Sequence, residues 1–120
     1  MLMTVNDLLP TGRPPELSAM RFADVARRLG AATHAAGLAV PAFRCPPRVP
    51  GATRTIRRYP GGAVVSVRLR GRPFDDVVTD MVDGVVAANR VAEADVPRVI
   101  ATLRAALVAE LMESEVRAAA

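Results

Sequence analysis

Between Phe74 and Asn89 the chain repeats apolar residues at the helical period: Phe74, Val77, Val78, Met81, Val82, Val85 and Val86 recur three and four residues apart. At about 100° per residue, this set covers a wider arc than a helix needs to pack on one surface. Such a helix has two outlets for the surplus. It lies at the centre of its own domain, or it faces a second chain. The second outlet predicts a homodimer whose interface buries part of Val82 and Val86.

The segments around this helix read as an α+β domain. A first helix is expected from about Glu16 or Ser18 to Ala36, with Phe22, Val25, Leu29, Ala32 and Ala36 on one face. Gly37 suits the left-handed position past its end, and Leu38 can supply the apolar contact of a Schellman ending. Residues 38–51 hold four prolines and favour an extended chain, with room for a short edge strand at 38–44. Segments 53–59 and 63–70 flank Tyr59-Pro60-Gly61-Gly62 and predict an antiparallel hairpin. With Gly61 and Gly62 as the loop, Ile56 pairs with Val67 and joins Val65 and Leu69 on the buried face. Thr55, Arg57, Tyr59, Ser66, Arg68 and Arg70 then share the opposite face. Pro73 suits the first turn of the second helix. An Asp95 N-cap opens a third helix with Val96, Val99, Ile100, Leu103, Leu107 and Leu111 along its seam. The fold class is thus an N-terminal helix, a proline-rich extended segment and a hairpin, then two C-terminal helices packed on one sheet face. With 120 residues there is room for one core. Residues 16–120 form that domain, and 1–15, with Pro10, Gly12, Pro14 and Pro15, form a flexible arm.

Several function classes fall away. No run of about 18 apolar residues exists to span a membrane. The amino terminus has neither the basic region nor the apolar run of a secretory signal, so a cytoplasmic protein is expected. Cys45 and His34 stand alone, too few for a disulfide or a Cys/His zinc site. His34 falls off the apolar stripe of its helix with no acid or nucleophile beside it, and Cys45 reads as a small buried hydrophobe. Neither GxGxxG nor GxxxxGK[ST] occurs. The expectation is a non-enzymatic protein without cofactor or metal.

Charge is what points to a function. All 16 basic residues are arginine, alongside 22 alanines, 17 valines and no glutamine, a bias expected of a GC-rich coding sequence. Coding bias does not decide where the charges sit. Residues 1–72 hold 12 Arg against three acids, a balance of +9; residues 73–120 hold four Arg against nine acids, a balance of −5. Within 41–72 there are eight Arg and no acid. Three readings follow: a solvated basic face, pairing with acidic helices of the same or another chain, or contact with phosphates. Asp76, Asp80 and Asp83, spaced along the polar side of the second helix, suit arginine pairing better than metal, because one helix face offers poor coordination geometry.

Uncompensated arginines repel one another and call for an anion, and nucleic acid is the commonest extended one. The expected function is therefore nucleic-acid binding, DNA or RNA, with Arg54, Arg57, Arg58, Arg68, Arg70 and Arg72 as phosphate contacts. The alternative is a protein–protein adaptor, a homodimer or the partner of an acidic protein. Two known binding architectures do not fit. A double-stranded RNA-binding domain needs basic residues where Asp75 and Asp76 stand, and in a ribbon-helix-helix arrangement the strand at 53–59 competes for the pairing edge. Four aromatics are too few for a base-stacking platform.

Overall fold

The computed structural model describes residues 18–49 and 51–119; the expected arm over 1–15 lies outside them. The elements run α1 (Ala19–Ala35), β1 (Ala42–Arg44), β2 (Arg54–Tyr59), β3 (Gly62–Val67), α2 (Phe74–Ala88), a 3-10 turn at Glu93–Asp95 and α3 (Val96–Ala119). The fold is α+β, with three helices and a three-stranded mixed sheet among the described residues.

Local chemistry accounts for the helix ends. Ser18 caps α1 by accepting the Arg21 N–H at 3.3 Å. The α1 end is a Schellman motif: Gly37, at φ 78°, donates to the His34 carbonyl, and Leu38 donates to Thr33. The end of α2 repeats that pattern, with Arg90 donating to Ala87 and Val91 to Val86. There the left-handed position is filled by Arg90, at φ 52°. Asp95 closes the 3-10 turn that leads into α3, and its carboxylate stands 3.5 Å from Arg98.

The strand order is β1-β3-β2. Pro60 and Gly61 form the hairpin corner, so Tyr59 pairs with Gly62 and Ile56 with Val65, not with Val67. This differs from the sequence expectation by two residues, which leaves every side chain on its expected face. β3 stops at Val67, because Arg72 folds back to donate to the Leu69 carbonyl. β1 is shorter than the expected 38–44 segment, lying just after Pro41 and just before Pro46 and Pro47. It takes the other edge of β3 and runs parallel to it, with Ala42 opposite Val64 and Arg44 opposite Ser66. Asn89, at the end of α2, clasps the chain leading into β1. Its side-chain amide accepts from the Ala39 N–H at 2.8 Å and donates to the Ala39 carbonyl at 2.9 Å.

α2 lies at the centre. It packs on β2 and β3, and α1 and α3 pack on it and on each other. Val65 and Val67 from the sheet, Phe22, Val25 and Leu29 from α1, and Leu103 and Leu107 from α3 meet its wide apolar arc. Val82 is wholly buried and Val86 is 7% exposed within the single chain. The surplus arc is therefore used internally, and the apolar surface expected at a dimer interface is not on the outside. Among the described residues, helices cover one sheet face only. The other face carries the features described next.

Candidate functional site

Alternation along β2 sorts its arginines between two faces. Arg54 pairs opposite Val67 and Arg58 opposite Ala63, so both share the α2 side of the sheet with Ile56. Arg57, flanked by Thr55 and Tyr59, points to the open side together with Val64 and Ser66 of β3. In the parallel register Arg44 falls opposite Ser66 and joins that open side, while Phe43 packs toward the core.

The arginines turned toward α2 are occupied. Arg54 Nη1 lies 3.5 Å from Asp83 and 3.8 Å from Asp80. Arg72 Nη2 lies 2.6 Å from Asp80 Oδ2, a close charge contact without hydrogen-bond alignment, while Arg72 Nη1 donates to the Arg68 carbonyl. Arg58 donates to the carbonyls of Ala87 and Ala88 at 2.9 and 2.8 Å, at the end of α2 where the helix dipole is negative. Three of the six arginines expected to hold phosphate thus fasten the hairpin to α2. Asp80 and Asp83 take the pairing role expected of them, whereas Asp76 contributes only its backbone carbonyl, to Arg72.

The other three, Arg57, Arg68 and Arg70, are exposed and make no ion pair among the described residues. Leu69 turns back to the core between Arg68 and Arg70, which fixes both outward at the end of the sheet. Arg44 and Arg48, absent from the sequence-derived set, join them. Arg44, Arg48 and Arg57 line one cleft of about 220 Å³ on the open face, with Thr55, Tyr59 and Ser66 adding three hydroxyls. Pro46 and Val49 form a further wall, and Val49 is buried at 7% exposure. Among the described residues no acid lines this cleft.

The described carboxylates lie on the helical side. Asp24 pairs with Arg27 and Arg28, Asp75 with Arg104, Glu110 with Arg28 and Glu113 with Arg117. The Arg27 hydrogen bond, against a partial opposing effect of desolvation and aided by Arg28, holds the Asp24 carboxyl below its ordinary value.

The remaining candidates show no assembled chemistry. His34 is exposed, and Cys45 is a half-buried free thiol beside Phe22 and Phe43. Among the described residues no group of three His, Cys, Asp or Glu side chains could hold a metal ion, and no helix is long and apolar enough to cross a membrane. Comparison with protein-family models, curated proteins and solved structures returns no match for this chain.

Proposed function

We propose that this chain is a small non-enzymatic nucleic-acid-binding protein that contacts backbone phosphates through the open face of its sheet. One observation carries the reading. Arg44, Arg48, Arg57, Arg68 and Arg70 stand on or beside that face with no carboxylate partner among the described residues, while Asp75, Asp80 and Asp83 of α2 are spent on Arg104, Arg72 and Arg54. Arginines this close raise one another's energy, and an extended polyanion relieves that repulsion. A guanidinium's planar fork also matches phosphate oxygens. The contacts are to backbone, so they position the protein without selecting a sequence. On this reading the protein works in the cytoplasm. An adaptor docking through Val82 and Val86 has no support in the burial of those residues.

Titration with duplex DNA, single-stranded DNA and RNA at two salt concentrations tests the proposal. Affinity should fall steeply as salt rises, because each neutralised phosphate releases counterions. Absence of binding to all three at low salt would overturn it.

A further inference from the structure

We infer that the cleft between Arg44, Arg48 and Arg57 receives the terminal phosphate monoester of a nucleic-acid strand. The inference rests on the nucleic-acid reading above and narrows it to a strand end. The open face is not a uniform basic plane. Arg44, Arg48 and Arg57, from three separate segments, namely β1, the connection after it and β2, line one concavity of about 220 Å³. Arg44 and Arg57 lie two strand spacings apart, about 10 Å, and two residues, about 7 Å, out of step along the strands. Between them Val64 and Ser66 of β3 make the floor.

The contents of that space select a ligand. At about 30 Å³ per water, the volume holds a phosphate group and part of its sugar, and nothing as broad as a duplex. Pro46 and Val49 wall one side, so a chain leaving the phosphate in two directions fits less well than one leaving in a single direction. A phosphomonoester carries about −1.5 to −2 charge and three strong acceptor oxygens, whereas an internal phosphodiester carries one negative charge. Three arginines and three hydroxyl side chains, with no carboxylate lining the cleft among the described residues, suit the more highly charged monoester better than a diester. The buried side chain of Val49 makes that wall apolar.

The experiment uses the full chain and a short single-stranded oligonucleotide carrying either a 5′-phosphate, a 3′-phosphate or hydroxyls at both ends. Fluorescence anisotropy at low salt should show a phosphorylated end binding about tenfold tighter than the hydroxyl-ended strand, the scale of one charge-assisted contact set. Methyl phosphate should displace the phosphorylated strand at lower concentration than dimethyl phosphate. Arg57→Gln and Arg44→Gln, both at exposed positions, should erase the advantage of the phosphorylated end; a thermal melt checks that each variant stays folded. Equal affinity for phosphorylated and hydroxyl-ended strands overturns the strand-end inference and leaves the nucleic-acid reading standing. Binding of methyl phosphate without binding of any strand overturns both.

Discussion

Arg72, in the connection after β3, and Asp80 of α2 form the tightest charge contact between the sheet side and the helical layer, at 2.6 Å with side chains only 11% and 15% exposed. Arg54 approaches the same carboxylate from the other side, so one helix residue gathers two arginines that the sequence places 18 positions apart. At this burial neither charge is well hydrated alone. Arg72→Gln should therefore cost about 1–3 kcal/mol, because Asp80 is left with a poor partner. Urea denaturation measures the loss, and a double variant with Asp80→Asn should recover part of it. Unchanged stability in Arg72→Gln would mean that the contact is energetically neutral.

Arg68 and Arg70 have the opposite character. Replacing both with glutamine should move the melting temperature little, since exposed positions usually cost within about 0.5 kcal/mol. Nucleic-acid affinity should weaken by a similar factor for every sequence tested, and the salt slope should shrink by about one unit per lost contact. A folded double variant with wild-type affinity removes these two residues from the binding face.

A third prediction concerns the join between α2 and the sheet. A Cβ added at Gly84 would stand 2.5 Å from Val65 Cγ1, and Val65 is fully buried on the central strand. Alanine is the better helix former by about 0.5–1 kcal/mol, but the overlap forces α2 and β3 apart. Gly84→Ala should lose about 1–3 kcal/mol on balance. Val65→Ala in the same chain makes room, so the two losses should add to less than their sum. Simple additivity in denaturation would show that the helix has moved aside instead.

Arg90 offers a gain. At φ 52° it occupies a region that costs a non-glycine residue roughly 1–2 kcal/mol, and its side chain makes no ion pair among the described residues. Arg90→Gly should raise stability by up to about 1 kcal/mol, read as a higher melting temperature. A lower melting temperature would mean that the side chain contributes more than the backbone conformation costs.

The Asp24 carboxyl is held below its ordinary value, first by the Arg27 hydrogen bond. A depressed folded-state pKa stabilises the protein above the unfolded value of about 3.9 and stops doing so as pH falls through the folded value. Because the side chain is 43% exposed, screening limits the contribution to about half a kcal/mol or less. Asp24→Asn should be slightly less stable than the parent near neutral pH and equal to it near about pH 2. A stability difference that persists at acid pH would trace to packing rather than charge.

Much of the fold was legible in the sequence because its signals are local. The spacing from Phe74 to Val86 marked α2 as either central or facing a second chain, and the burial of Val82 and Val86 fits the first; Gly37-Leu38 marked the end of α1. Tyr59-Pro60-Gly61-Gly62 marked the hairpin, and a two-residue error in register left the faces unchanged because side chains alternate with period two. The placement of β1 was not legible. Three residues between prolines do not encode a partner, and parallel pairing requires no turn that a sequence could display.

The site inherited that gap. Arg44 could be assigned to a face only once β1 was paired with β3, and Arg48 only once the connection after β1 was seen to wall the cleft. Arg54 and Arg58 erred in the other direction. Their charge was plain in the sequence, but the acids and helix end beneath them are tertiary neighbours. Alternation along β2 already set Arg57 apart from them, and carrying it into the site set would have removed two of the three arginines that α2 engages.

The clasp of Asn89 on Ala39 sets the order in which the sheet comes apart. One side-chain amide supplies both bonds that a neighbouring strand would give residue 39, and the three-residue β1 has little else to hold its register. Amide exchange should therefore be slowest on β3, which is paired on both edges and lies beneath α2, and fastest on β1, a three-residue edge strand whose Phe43 is only half-buried against the core. Arg44 rides on that loosest strand, so one rim of the cleft detaches whenever β1 does. An anion held between Arg44 and Arg57 ties the first strand to leave to the hairpin that leaves last, and its affinity is then also a measure of how long the sheet stays closed.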